Sequence, residues 1–434
     1  MRTSKPVPRY RNVAAGLFST LLAMSACSAT APEPAAGEGG PVTVYTGARV
    51  IVGNGQVIES AAFTVDEDGG RFLAVASASE VILPEGAKRV ELNGMTVMPA
   101  IVDAHTHLNT TREALLEDLE RRAYYGIGAA LSLGLDGDEA PLGMRTESLP
   151  GAARYRSAGR GITSPEPGRS EVPHWVTTEE EARKAVADEV SRDVDIIKIW
   201  VDDRNGQYKK LAPELYGPVI DEAHQRGTKV TAHIFNLEDA KGLLRAGIDA
   251  FAHGVRDKDV DDELVSLVKE RANLVLVPNM PDRGVATDLE WLSGSIPAEE
   301  LLKLKAATTE RPEAQAVFGI QSRNLARLNE AGMRIALGTD GNTPWAPHVE
   351  MEDMVASGMT PGQVLVAATR NGAELAGWSD IGTLEAGKSA DFVVLEANPL
   401  VDITNTRRIS AVYLRGAQVD RDALRARWSA PKTE

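Results

Sequence analysis

The chain has a single cysteine in 434 residues, Cys27. One thiol excludes an internal disulfide framework and any cysteine-based zinc knuckle. Aromatic residues are scarce at 5%, and 47 Lys and Arg are outnumbered by 62 Asp and Glu, giving a formal charge of −15. Outside the N-terminus there is no basic block, so phosphate backbones would repel the protein and nucleic acid is excluded as an expected partner. No Rossmann GxGxxG occurs, and no nucleotide cofactor is expected. The one leader-like apolar run is too short to span a bilayer. What remains is an ordinary packed composition, 43% hydrophobic, in a chain long enough for one large domain and a smaller one.

Residues 1–26 carry Arg2, Lys5, Arg9 and Arg11 with no acid, then the apolar run Val13–Met24, then small residues, which reads as a secretory signal peptide. Its end, Met24-Ser25-Ala26-Cys27, resembles the lipobox of bacterial lipoproteins, and that resemblance implies a lipid on Cys27 and a membrane anchor. Cleavage without lipid is the alternative. Residues 27–40 are rich in Pro, Gly and Ala and read as a flexible tether. The expected location is outside the cytoplasm, periplasmic or on another extracytoplasmic face; Ser28 resembles the signal for the outer membrane.

From residue 41 to 97, short β-rich runs such as Ala61-Ala-Phe-Thr-Val and Phe72-Leu-Ala-Val-Ala alternate with turn residues. Residues 379–425 repeat that texture, which predicts one small discontinuous β-sandwich domain built from both segments. Residues 426–434 are left as a tail. Between them, over 98–378, β-branched runs alternate with amphipathic helical stretches, as in βα units with a doubly buried parallel sheet. The runs are Val97–His105, Gly126–Gly134, Ala153–Arg160, Val194–Trp200, Lys229–Phe235, Ala250–His253, Leu274–Pro278 and Arg334–Asp340. Their number predicts an α/β fold of the (β/α)8 TIM barrel type, whose chemistry sits at the C-terminal strand ends.

Several of those runs end in polar residues. His105 and His107, at i and i+2 of an extended chain, face the same way and can share a metal. Lys198 places an ammonium inside an apolar strand, where desolvation favours the neutral amine. A neutral amine can add CO2 to form a carbamate that bridges two cations; a lysine snorkelling out, or paired with Asp202 or Asp203, is the alternative reading. His233, His253 and Asp340 each terminate a run of their own. Together these six residues suit two divalent cations, zinc by the nitrogen and oxygen donors on offer.

These motifs, Val97-Met-Pro-Ala-Ile-Val-Asp-Ala-His-Thr-His, Lys198, Thr231-Ala-His, Phe251-Ala-His-Gly and Gly338-Thr-Asp-Gly, resemble the amidohydrolase superfamily, as does Ile381–Leu395 leading back to the small domain. Within it the chain is most similar to the imidazolonepropionase-related branch with Xaa-Pro dipeptidases and a carboxylated lysine. The resemblance implies that His105, His107 and Asp340 hold one metal, that His233 and His253 hold the other, and that carboxylated Lys198 bridges them. A hydroxide bridging the two metals would attack an amide-type C–N bond, possible substrates being N-acyl amino acids or dipeptides, with Asp340 as the catalytic base. Esters, lactones, carbamates and phosphotriesters are the alternative substrates of the same site, and an inactive substrate-binding lipoprotein is the alternative from another class. Asn236 stands where single-metal deaminases of the superfamily carry Glu three residues after the strand-five histidine.

Loop positions supply candidate substrate contacts: His174, Arg283 and His348, with Arg160 as a second arginine able to fork onto a carboxylate. Trp291 and Trp345 are candidates to line or cover the pocket. His224 reads as a surface or interhelix residue. The expected partners are a small amide- or ester-bearing substrate, the membrane through Cys27, and a second copy of the chain.

Overall fold

The computed structural model describes residues 40–429. The leader, Cys27 and nearly all of the tether lie outside the described residues. Eighteen strands form three sheets among them. Five come first: β1 Val42–Ile51, β2 Val57–Asp66, β3 Arg71–Ser77, β4 Lys88–Glu91 and β5 Thr96–Pro99. The next ten alternate with helices: β6 Ile101–Thr106, β7 Ile127–Ser132, β8 Arg154–Ser157, β9 Ile162–Thr163, β10 His174–Trp175, β11 Ile197–Val201, β12 Val230–Ile234, β13 Ala250–Phe251, β14 Val275–Leu276 and β15 Arg334–Ile335. Three close the chain: β16 Phe392–Leu395, β17 Ile409–Leu414 and β18 Ala417–Gln418.

The first five and last three strands share one sheet, built from both ends of the described chain. Its order is β18-β17-β16-β5-β1-β2-β3, and β4 also pairs with β1. The sheet forks there: Thr43–Thr46 of β1 pair in parallel with β4, and Arg49 and Val50 with β5. Tyr45, Phe63, Phe72 and Phe392 meet in its core, with Tyr45 stacked on Phe63 at 4.7 Å and Phe392 edge-on to Phe63 at 5.3 Å. These aromatic rings supply the area that a small sheet needs for a core.

The run Val97–His105 is not one strand. It breaks at Ala100, so that β5 serves the small sheet and β6 the large domain. Pro99 has no N–H to donate. Ala100 N donates to Asp391 O at 3.0 Å and Ile101 N to Gly126 O at 3.0 Å, switching sheets within one residue. The chain passes from one sheet to the other at Ala100. Residues 426–429 are likewise no tail, because the helix Arg421–Ser429 carries Trp428 onto Tyr124, ring to ring at 5.4 Å, under the Arg121 guanidinium. A hydrophobic residue so far from its partner in sequence gives no local sign of that contact.

The large domain holds two parallel sheets, β6-β7-β8 and β10-β9-β11-β12-β13-β14-β15. No continuous ladder joins them. Single backbone bonds span both gaps: Asp195 N to Ser157 O at 2.9 Å, Ala104 N to Leu337 O at 2.9 Å and Thr339 N to His105 O at 3.0 Å. Each of the eight expected runs contains a strand, and β9 and β10 are two-residue additions that the sequence pattern does not announce. Between strands the helices start and stop on legible signals. Thr178 and Glu181 form a capping box, Pro213 opens the next helix, and Gly247 ends another in a left-handed conformation.

Strand alternation aims the site residues. In β11, Ile197, Ile199 and Val201 join the core shared with the helices, which leaves Lys198 and Trp200 on the opposite face. In β12, Val230, Ala232 and Ile234 do the same, leaving Thr231 and His233.

Against the expectation that no nucleotide-binding spacing is present, Gly382-Thr-Leu-Glu-Ala-Gly-Lys-Ser389 has the pattern of a phosphate-binding loop. Here it leads into a strand, β16, and not into a helix. Lys388 pairs with Glu385 at 3.3 Å and Ser389 accepts from Arg154 at 2.8 Å, so no phosphate cradle forms.

Candidate metal centre

His105 is the penultimate residue of β6 and is fully buried; His107 lies just beyond the strand. Asp340 follows β15 in a left-handed conformation (φ 54°), uncommon outside glycine but tolerated by aspartate. The backbone N–H groups of Thr339 and Asp340 both donate to His105 O, at 3.0 and 2.8 Å, which fixes this turn against β6. Gly338 permits the approach, since a Cβ there would come within 2.4 Å of Val277 Cγ1 and 2.8 Å of His105 Cβ.

The carboxylate of Asp340 is the hub. Oδ1 lies 3.1 Å from both His105 Nε2 and His107 Nε2, and Oδ2 lies 3.5 Å from His253 Nε2. Ligand atoms of His105, His253 and Asp340 all fall within 4.8 Å of one another. Lys198 Nζ is 3.4 Å from His105 Nε2 and sits over the Trp200 ring, 5.4 Å from its centroid. His233 packs edge-on against His253 at 4.3 Å between ring centroids. All six residues expected from the strand ends therefore gather at one end of the parallel strands.

Partners of these residues were not legible in the sequence. Asp202 Oδ2 lies 3.1 Å from His233 Nε2, so this imidazole can donate there and keep Nδ1 free as a ligand atom. Asp202 is also paired with Arg204 at 2.7 Å; among the described residues no acid comes within ion-pair distance of Lys198, which removes the Asp202 or Asp203 pairing as an explanation of that lysine. Asn279, in a left-handed conformation after β14, puts Nδ2 2.7 Å from His105 Nδ1 and 3.3 Å from His253 Nδ1. The only advance signal was an Asn next to Pro278 at a strand end. Arg256 Nη2 lies against His253 Nδ1.

Burial dominates the electrostatics. It pushes His105 down to about 3 and His233 to about 4, so both imidazoles are neutral at pH 7 and able to bind a cation. Burial also lowers Lys198, to about 7. Asp340 would be raised by burial, but His105, His107 and His253 around it reverse this and hold it ionised well below the usual carboxylate range. Asp103, buried beneath the site and bonded by Thr339 Oγ1 at 2.8 Å, is pushed up to about 6.

A metal fits this donor set. His253 Nε2 and His107 Nδ1 are buried without a hydrogen-bond partner, and orphaned nitrogens of that kind are what a cation satisfies. Neutral imidazoles with a carboxylate suit zinc and similar ions.

Of the remaining candidates, Arg283 lines the cavity that also holds Thr339 and Trp345. His174 is in β10, not a loop, with Nε2 2.7 Å from the buried Glu189. Arg283 is taken by Asp353 at 2.7 Å and Glu352 at 2.6 Å. His348 is in the helix Ala346–Ala356, not a loop, fully buried between Tyr125 O at 2.9 Å and Thr406 Oγ1 at 3.0 Å. Arg160 donates to Val172 O at 2.5 Å, and His224 pairs with Asp249 at 2.9 Å on the surface. Trp291 packs on His348, whereas Trp345 lines a cavity of about 330 Å³ with Met280, Leu289, Glu350 and Thr339, the neighbour of Asp340.

A family model described as the amidohydrolase family matches residues 96–419. An imidazolonepropionase of Shouchella clausii is 25% identical over 389 residues, which cover 80% of each chain. The ochratoxinase of Aspergillus niger is 28% identical over 261 residues, covering 56% of this chain and 50% of that one. The crystal structure of a Xaa-Pro dipeptidase with bound methionine in its active site matches with a TM-score of 0.69 and 22% identity, covering 87% of this chain and 99% of that one, a likeness of fold.

Proposed function

Because the chain belongs to the amidohydrolase family, we propose that this hydrolase cleaves an amide-type C–N bond, in N-acyl amino acids or dipeptides, at a centre for two divalent cations. The observation that carries the reading is the convergence of the buried His105 and His253 with the more exposed Asp340, where His253 Nε2 has no hydrogen-bond partner, with His107, His233 and Lys198 beside them. His105, His107 and Asp340 would hold one cation and His233 and His253 the other. We read the two parallel sheets as one (β/α)8 barrel with this centre at its C-terminal end.

The cations, zinc by donor type, would supply a water acidic enough to ionise at neutral pH and a Lewis-acid contact for the substrate carbonyl. Lys198, buried without an acid partner, would carry a carboxyl group from CO2: its nitrogen bonds to carbon, loses a proton, and gains two oxygens as ligands. Asp340 would take the proton of the attacking water and pass it to the departing nitrogen. Asp202 orients His233, and Asn279 ties the rings of His105 and His253 together.

Metal per chain, measured in the parent and in Lys198→Ala, tests the centre. Two ions in the parent with a marked loss in the variant are expected; one ion in both would sink the bridged site. A matched panel of amides and esters tests the bond, since turnover confined to esters, lactones or phosphotriesters would move the activity to those substrates. We further propose export through residues 1–26 and lipidation at Cys27; a Cys27→Ser protein that stays in the membrane fraction would overturn the anchor.

A further inference from the structure

Arg256 is an anomaly that the metal centre does not absorb. It follows His253 by three residues, its backbone N–H donates to Phe235 O at 2.8 Å, and its side chain is largely buried. Among the described residues no carboxylate comes within ion-pair distance of it; Nη2 reaches only the imidazole of His253, and Nε has no partner. Asp340, Asp202 and Glu350 favour its charge only from beyond ion-pair distance, and a guanidinium withdrawn from water without a direct partner is costly unless a ligand brings one.

A second arginine stands at the neighbouring strand end. Arg204 follows β11 in a left-handed turn with Asn205 (φ 54° and 59°). Its Nε and Nη1 are held by Glu166 at 3.1 Å and Asp202 at 2.7 Å, while Nη2 is buried and unpartnered. Arg204 Nη1 lies 3.2 Å from His233 Nε2, and Arg256 touches His253. The two guanidinium groups thus flank the edge-on pair His233 and His253. Conformational strain in two consecutive non-glycine residues at a site edge is of the kind that function retains.

We propose that Arg256, assisted by Arg204, is the subsite for a carboxylate on the leaving-group side of the substrate, so that the amide cleaved is that of an N-acyl amino acid or the last bond of a small peptide. The proposal rests on the hydrolase reading above. An α-carboxylate stands two bonds from the scissile nitrogen, which suits a clamp beside the metal-binding histidines, and the planar fork of arginine matches it in geometry and charge. Arg283 lines the cavity beside Thr339 but is held by Glu352 and Asp353, and Arg160 is held by a backbone carbonyl.

The test uses the metal-loaded full chain and two probes of one shape, N-acetyl-L-methionine and N-acetyl-L-methioninamide, with binding read by calorimetry and metal per chain read in parallel. The parent should bind the acid about tenfold or more tightly than the amide. Arg256→Met should bring the two within about threefold of each other at unchanged metal content, and Arg256→Lys should restore part of the preference. If Arg256→Met fails to fold or sheds metal, Arg256→Lys and Arg204→Met carry the test, and an unchanged preference in both overturns the assignment. So does a parent that binds the acid no better than the amide, or not at all at millimolar concentration. A parent that prefers the acid but hydrolyses nothing leaves the clamp standing and removes the hydrolase reading. A parent that hydrolyses neutral amides without preference does the reverse.

Discussion

The core of the small sheet and the polar end of the parallel strands are both buried, yet they are built on opposite terms. Around Phe63, aromatic and β-branched side chains meet one another and need nothing more. Around Asp340, full burial is imposed on His105, Lys198 and His253, and His253 Nε2 and the neighbouring His107 Nδ1 lack partners. The first region stabilises the fold by removing apolar area from water. The second costs stability until something binds it, which is how a binding site differs from a core of equal burial.

The contrast can be broken most severely at Asp340. Asp340→Asn should lower kcat/KM by about 10³-fold or more while the melting temperature stays near that of the parent; retained turnover on a substrate of the parent would remove Asp340 from the chemistry. Phe63→Ala should do the opposite, costing about 3–5 kcal/mol in urea unfolding with metal content per folded chain unchanged. Lys198→Met should make the metal-free protein more stable by about 1 kcal/mol, because it replaces a buried amine by an apolar chain of similar length. The same variant should lose the stabilisation that added zinc gives the parent, read as a shift in melting temperature.

A finer version concerns pH. Burial holds His348 down at about 4, so it stays neutral in the folded state, whereas the unfolded chain protonates it near its ordinary value of 6.5. Its contribution is therefore complete above pH 6.5 and is lost as pH falls from there toward 4, at up to about 1.4 kcal/mol per pH unit. His348→Gln, which can still bond Tyr125 O, should show a flatter acid limb in urea unfolding of the metal-free protein. Asp103, raised to about 6, and Asp353, raised to about 7, act in the opposite sense, but both proteins carry them and the difference cancels them. Parallel acid limbs would mean that His348 is protonated in the folded state.

The site was more legible than its surroundings. His105, His107, Lys198, His233, His253 and Asp340 show in sequence because each interrupts or ends an apolar run, a local signal. Asp202, Asn279 and Arg256 end no such pattern; their roles come from neighbours on other strands, and nothing within a few residues marks them. The break at Ala100 was hidden for another reason. Hydrophobicity is continuous across it, and only the loss of the Pro99 donor hints that the run belongs to two sheets. His348 and Arg283 were placed near substrate by chain position alone, while helix packing and nearby acids decide what they touch.

The strand order of the small sheet also constrains how the protein comes into being. β5 receives its antiparallel neighbour only when Phe392–Leu395 has been made, so during synthesis the first five strands wait with an open edge while the whole large domain is assembled behind them. A prematurely terminated chain keeps that edge exposed, and unpaired edges are what aggregation seeds upon and chaperones hold. The late strand thus acts as a proofreading step for chain length: only a polypeptide translated past β16 can hide the mark of being incomplete.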